Sequence, residues 1–190
     1  ADPLRLGARS NGVSFADANF AHASQFQGDV DEVMLFSRSL SESEISGIQS
    51  ATYRDGGGMT NVYAAGEPDP ALLPGGCVGF WPLDGTGVDI ATGNNAQPDN
   101  EEWVKGLFGL AFRFDGDDAL RVPRCNKATA DPWNLDVSQV TMVAWIRPQG
   151  YAIDYDADRG IIMNKESSYE FGLSDNTGKL QGAFSPCWRW

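Results

Sequence analysis

The amino-acid sequence predicts an all-β fold: a sandwich of two antiparallel sheets with one short capped helix near residues 42–49. Short runs of β-branched and aromatic residues recur along the chain, separated by polar segments rich in glycine and proline. The 190 residues include 22 glycines, 10 prolines and 11% aromatic residues, which is typical of many turns between short strands. A chain of this length can bury a substantial core, in one large or two small domains.

The helix is predicted from residues 28–48, which read GDVDEVMLFSRSLSESEISGI. The β-branched and aromatic residues between positions 30 and 36 favour a strand with one buried face. Ser41 and Glu44 then have the S-x-x-E spacing of a capping box, which starts a helix. Leu40 and Ile45 flank that box at the spacing of a hydrophobic staple.

The remaining strands are predicted from similar runs. Val140–Arg147 is the strongest, and its two faces are both apolar: one carries Val140, Met142, Ala144 and Ile146, and the other carries Val143 and Trp145. We therefore expect this strand to lie centrally in the sandwich. Phe108–Asp115 and Ala119–Val122 flank a Gly-Asp-Asp turn and are predicted to form a hairpin. The other predicted strands are Leu4–Gly7, Cys77–Pro82, Ile161–Asn164, Tyr169–Leu173 and Lys179–Phe184.

These phrases carry a family resemblance. Residues 26–45, FQGDVDEVMLFSRSLSESEI, resemble the closing motif of laminin G-like jelly-roll domains, in the concanavalin A-like lectin and glucanase group. VGFWPLDG, GLAFRFDGDDALRVP, VTMVAWIRP and GIIMNK, between residues 78 and 165, resemble the opening motifs of the same family. The resemblance implies a jelly-roll sandwich, often with calcium near a loop edge, and roles in carbohydrate binding and cell adhesion.

The order of these motifs suggests an unusual domain organisation. Residues 1–52 resemble the C-terminal part of a jelly roll, 53–76 read as a linker or permuting connection, and 77–190 resemble the N-terminal part. Either the chain spans parts of tandem domains, or it is a circular permutant. The family's middle strands are not found, so we expect another chain, an adjacent domain or an omitted segment to supply them. The mass of the intact protein would separate the last case from the others.

Charge and composition indicate where the protein is located and which classes of partner are excluded. The net charge of −12 and the pI of about 4.3 argue against nucleic acid or an anionic membrane as a partner, and no membrane insertion is expected. No run approaches 18 apolar residues. An extracellular or secreted protein is expected. There, Cys77, Cys125 and Cys187 would form one disulfide and leave one thiol, and the sequence does not choose the pairing.

The sequence predicts that the protein is not an enzyme. His22 is the only histidine, and no G-x-S-x-G elbow accompanies it. Glucanases of this fold group use an E-x-D-x-x-E arrangement, which Asp29-Val30-Asp31-Glu32 does not reproduce. Asp31 and Glu32 are therefore expected to have structural roles, bonding backbone amides. A glycoside hydrolase is the weaker alternative.

A calcium site is the better hypothesis. Asp154, Asp156 and Asp158 alternate as in the first half of an EF-type loop, although Arg159 and Lys165 stand where glycine and glutamate belong. The alternative is a solvated acidic loop. Asp89, in a loop that resembles the family's D-x-S-G-N phrase, is a further candidate ligand.

Aromatic residues suggest a glycan site. Trp188 and Trp190 would point to the same face of a strand, and sugar rings stack on indoles. The alternative is that both are core residues, as we expect for Trp81 and Trp145.

Two functions remain after these exclusions. The first is a lectin-like extracellular binding module for a glycan or protein, with calcium as a structural ion. The second is a structural or accessory domain of a larger enzyme or adhesin.

Overall fold

A computed structural model describes residues 3–8, 25–53, 73–116, 118–123, 135, 137–150, 159–165, 168–174 and 178–184. These residues form eleven strands and one helix. The elements are β1 (Leu4–Leu6), β2 (Gln27–Phe36), α1 (Glu42–Tyr53), β3 (Cys77–Trp81), β4 (Gln97–Pro98), β5 (Trp103–Lys105), β6 (Leu110–Asp115), β7 (Leu120–Val122), β8 (Thr141–Gly150), β9 (Arg159–Lys165), β10 (Tyr169–Ser174) and β11 (Leu180–Phe184).

The strands form two antiparallel sheets, which confirms the predicted all-β sandwich. The six-stranded sheet has the order β11-β10-β9-β1-β7-β4. In the five-stranded sheet, β2 pairs on one side with β8 and on the other with β3 and β6, and β5 continues from β6. The main core lies between the sheets and includes Val30, Leu35 and Phe112 from the five-stranded sheet and Leu6 and Met163 from the other.

Strands from the first 52 residues lie inside both sheets. β1 pairs with β7 and β9, and β2 pairs with β3, β6 and β8. Residues before the predicted connection at 53–76 therefore share each sheet with residues after it. The division into two domain parts stays a prediction, but the described strands of both parts build one sandwich.

A second core lies on the outer face of the five-stranded sheet, under α1. It contains Met34 and Phe36 of β2, Phe80 of β3 and Ile48 of α1, all buried. On β8, Val143 and Trp145 pack against this second core, whereas Met142, Ala144 and Ile146 pack against the main core. The predicted assignment of these residues to two faces of the strand is confirmed.

The capping box predicted for α1 is confirmed. The amide of Ser41 donates to Glu44 Oε2 at 2.8 Å, and the amide of Glu44 donates to Ser41 Oγ at 3.3 Å. Arg38 also binds the Glu44 carboxylate and donates to the carbonyl of Gly75, just before β3. The helix runs to residue 53, beyond the predicted 42–49. Leu40 packs against the second core, whereas Ile45 is 41% exposed.

One expectation about the strands is wrong. β6 and β7 do not form a hairpin, because β6 pairs with β2 and β5 in one sheet and β7 pairs with β1 and β4 in the other. The chain changes sheets after Gly116, whose φ of +107° few other residues adopt. Among the described strands β8 pairs with β2 alone, although its two faces pack against the two cores.

Candidate functional site

The register of the five-stranded sheet places two aspartates of β2 on its outer face. Asp29 stands opposite Arg113 of β6 on one side and Arg147 of β8 on the other. Asp31 stands opposite Trp145 of β8, two pairs further along the ladder. Because side chains alternate along a strand, both carboxyls leave the same face.

Asp29 is fully engaged as an ion-pair partner. Arg113 Nε donates to its Oδ1 at 2.8 Å, and Arg147 Nε donates to its Oδ2 at 2.7 Å. The side-chain amide of Gln149 contacts both oxygens. Burial alone would raise the pKa of Asp29, but the hydrogen bonds and charges of the two arginines outweigh it and lower the pKa. The carboxyl is therefore ionised at neutral pH.

Asp31 has a different environment. Its Oδ2 accepts hydrogen bonds from the amides of Leu107 and Phe108 at 2.7 and 3.2 Å, so the expected bonding to backbone amides is confirmed. Its Oδ1 is buried and has no hydrogen-bond partner among the described residues. Burial, aided by the charge of Asp84, raises the pKa of Asp31 to about 7, although the backbone amides of Phe108, Leu107 and Glu32 oppose the shift. The group can therefore be protonated or ionised near neutral pH.

The loop between β5 and β6 positions Asp31. The amide of Gly106 donates to the carbonyl of Gly109, and this tight turn points the next two amides at the carboxylate. A Cβ at Gly106 would lie 2.6 Å from Asp31 Oδ2 and 2.7 Å from the carbonyl oxygen of Leu110. Glycine is required here by close approach.

These groups line a cleft of about 390 Å³, referred to below as the Asp31 cleft. The cleft also contains the indole of Trp145, the guanidinium-bearing side chain of Arg147, and Lys105 at the end of β5. It thus combines an aromatic wall, cationic groups and one buried carboxyl oxygen without a described partner. That combination can accept a hydrogen bond from a ligand, donate others to it and pack against its apolar face.

Asp89 is the one predicted metal ligand among the described residues, and it is 3% exposed. Its Oδ1 accepts from the amides of Phe80, Ala91 and Thr92, and its Oδ2 accepts from the amide of Asn94 and the hydroxyl of Thr92. Five donors already surround this carboxylate. Its contacts fit an anchor of the loop on β3 better than a cation ligand, for which several of these donors would have to be displaced.

The other predicted site residues lie outside the described residues. They are the metal candidates Asp154, Asp156 and Asp158 and the ligand candidates Trp188 and Trp190. Within the described ranges, no group of three His, Cys, Asp or Glu side chains could hold a metal ion. Calcium binding therefore stays a prediction. Cys77 is a free, half-buried thiol, and Cys125 and Cys187 also lie outside the described residues.

Sequence reasoning considered the carboxylates of this cleft but not the cleft itself. Asp31 has the predicted structural role and also lines the cleft. Trp145, which the sequence assigns to the core, is half-buried: it packs against the second core and lines the cleft. The alternation Asp29-Val30-Asp31 in a predicted strand was the available signal, because it places both carboxyls on one face. No sequence pattern predicts that Lys105 and Arg147 line the cleft, because only strand pairing brings them near β2.

Comparisons with known proteins identify no relative of this chain. No family model matches the chain, and neither a curated protein nor a solved structure matches it. In the part of the chain that the structure describes, no helix is long and apolar enough to cross a membrane.

Proposed function

We propose that this protein is a non-catalytic extracellular binding module that holds a glycan in the Asp31 cleft. The observation that carries the proposal is Asp31, a residue that lines the cleft and whose Oδ1 atom is buried without a described hydrogen-bond partner. A buried polar atom without a partner costs about 1–3 kcal/mol. A hydroxyl donor from a ligand would recover that free energy.

The remaining cleft groups complement a sugar. One face of a pyranose ring is rich in C–H groups, and such a face packs on an indole such as that of Trp145. Lys105 can donate to ring and hydroxyl oxygens, while Asp31 accepts from a hydroxyl. The volume of about 390 Å³ falls within the range of about 300–1,000 Å³ that is usual for small-ligand sites.

A glycan array tests the proposal with three variants. Asp31→Asn replaces the free carboxyl oxygen by a group that donates into the cleft, and Trp145→Leu removes the indole. We expect the wild type to retain a defined set of glycans and each variant to bind them at least about tenfold more weakly, a loss of about 1.4 kcal/mol. Trp103→Leu is the matched control, because this half-buried tryptophan packs on Phe112 and does not line the cleft.

If the folded wild type binds no glycan on a broad array, glycan binding is contradicted. That result would favour the second proposal, a structural or accessory domain of a larger enzyme or adhesin. Equal losses in Trp103→Leu and Trp145→Leu would point to general destabilisation, so circular dichroism of each variant accompanies the array.

A glycoside hydrolase is a further candidate because of one specific observation. Asp29 and Asp31 are two residues apart on one strand, and their pKa values are shifted in opposite directions. Such a pair is typical of acid and base assignments in glycosidases. Hydrolysis ranks below binding because Arg113, Arg147 and Gln149 already occupy the carboxylate of Asp29. Release of reducing sugar that Asp31→Asn abolishes would favour the hydrolase.

Calcium is the proposed structural ion of the module, with Asp154, Asp156 and Asp158 as its side-chain ligands. Calorimetric titration with calcium tests this, with Asp156→Ala as the variant and Asp89→Asn as a comparison. Heat that disappears in Asp156→Ala supports the loop site. Unchanged heat in that variant removes the loop from consideration.

A further inference from the structure

The outer edge of β8 lacks a neighbouring strand among the described residues. β8 pairs with β2 along Gln27–Phe36 on one side, and no described strand pairs with its other side. Residues 140–146 read VTMVAWI and contain no charge, whereas Arg147 and Pro148 lie towards the end of the strand. Natural proteins usually shield an edge of this kind with charged residues, proline, bulges or a covering segment, because its free N–H and C=O groups bind another strand.

A groove of about 520 Å³ runs along this edge, referred to below as the β8 groove. Residues 142–146 of β8 form one wall. Ile45 and Ile48 of α1 lie on its outer side, and Ile162, Phe171 and Leu180 of the six-stranded sheet lie on its inner side. Leu180 is 68% exposed and Ile45 is 41% exposed. No charged side chain lines the groove in the part of the chain that the structure describes.

These walls define the shape of an occupant. A strand added beside β8 would lie about 4.8 Å from it and would send alternate side chains inward and outward. The inward side chains would meet the six-stranded sheet, and the outward ones would meet α1. Both sets would contact apolar groups, so an extended segment with apolar residues on both faces fits the groove.

We propose that the β8 groove binds an extended strand of another protein, which pairs with the edge of β8 that no described strand covers and so extends the five-stranded sheet. The groove offers strand-pairing groups along one wall and uncharged apolar contacts on both sides, the combination used in recognition by strand addition. A second copy of this chain is the less suitable occupant, because each copy carries a net charge of −12 and the copies repel one another.

The test uses a synthetic peptide of about nine residues, enough to span β8 at about 3.4 Å per residue. Valine, threonine and isoleucine alternate in it, with lysine at each end. A control peptide carries two prolines in its centre, which remove amide donors without adding charge. Binding to the full chain is measured by fluorescence anisotropy, and hydrogen exchange reports protection of the amides of residues 141–147.

Exposed residues supply the variants, so folding is preserved. We expect Leu180→Glu and Ile45→Glu to weaken binding of the alternating peptide at least about tenfold, because a carboxylate enters an apolar contact. Val88→Glu is the matched control, since Val88 is 43% exposed and lies outside the groove. None of these residues lines the Asp31 cleft, so glycan binding should be unchanged.

Selective binding of the alternating peptide, with protection of residues 141–147, supports the proposal. Equal binding of both peptides, or no binding of either, overturns it. Light scattering that shows a dimer which Leu180→Glu dissociates would identify a second copy as the occupant and would also overturn it.

Discussion

The protein buries two aspartates in very different ways. Asp89 and Asp31 are 3% and 4% exposed, and each belongs to the five-stranded half of the sandwich. Five donors from the protein surround the carboxylate of Asp89. Two amides contact one oxygen of Asp31, and the other oxygen has no described partner.

This difference separates a carboxylate whose hydrogen bonds hold the fold together from one that, in the function we propose, accepts a hydrogen bond from a ligand. Burial is the same at the two sites, so exposure does not distinguish them. The number of donors does, because a buried carboxylate is stable only where hydrogen bonds or charges replace its lost water. Asp89 has that replacement and Asp31 has it in part, which is why burial raises the pKa of Asp31 to about 7.

The largest expected effect is from Asp89→Ala. This change leaves the buried amides of Phe80 and Asn94 without their acceptor. Each unpaired buried group costs about 1–3 kcal/mol, so we expect the free energy of unfolding to fall by about 3 kcal/mol or more. Urea unfolding at pH 7 measures it. Asp99→Ala, which removes a partly exposed pair with Arg121, should cost at most about 1 kcal/mol. Similar losses of unfolding free energy in the two variants would contradict a special structural role for Asp89.

Asp31→Asn should change how the free energy of unfolding depends on pH. Unlike Asp89→Ala, it should spare the protein a loss of stability that the wild type has at higher pH. The folded-state pKa of Asp31 is raised, so its contribution to stability is fully present below the unfolded pKa and is lost as the pH rises through about 7. Between pH 5 and pH 8 the wild type should lose about 2–3 kcal/mol that the variant does not lose. Urea unfolding of both proteins at the two pH values measures this difference. Parallel pH profiles would show that Asp31 is an ordinary carboxyl.

Gly106→Ala tests whether the two backbone amides that donate to Asp31 set its pKa. The new methyl group would meet Asp31 Oδ2 and the carbonyl of Leu110, so the loop must move. We expect a loss of about 1–3 kcal/mol and, because the two amides withdraw, a further rise in the pKa of Asp31. Gly75→Ala is the control, since a Cβ there meets nothing within 4 Å. An unchanged pKa in Gly106→Ala would show that the loop does not position the carboxyl.

Glu44→Gln should have the smallest effect. Arg38 and the donors of Ser41 lower the pKa of Glu44 to about 2, but this carboxylate lies at the surface. Glutamine preserves the capping-box hydrogen bond but removes the charge and one of the two hydrogen bonds from Arg38. The contribution of the charge is present above the ordinary pKa and is lost as the pH falls through about 2. Thermal unfolding at pH 2 and pH 6 should show a small difference at pH 6 alone, and a large one would contradict a surface role.

The sequence predicted local features better than spatial ones. The capping box of Ser41 and Glu44 and the two apolar faces of β8 depend on residues close in sequence, and both are confirmed. The predicted hairpin after Asp115 is wrong because sheet membership depends on distant strands. β5 was not predicted, since its three residues carry too short a pattern. The Asp31 cleft joins β2, β5 and β8, and no local pattern encodes their pairing.

The most direct test of the account is the titration of individual aspartates by carboxyl-carbon NMR. We predict that Asp31 titrates near pH 7, while Asp29, between its two arginines, titrates below the usual range for an aspartate. Addition of a glycan retained on the array should then shift the Asp31 midpoint and leave that of Asp29 nearly unchanged. An Asp31 midpoint near 4 without ligand would contradict a desolvated carboxyl with one available oxygen, and with it the proposed site.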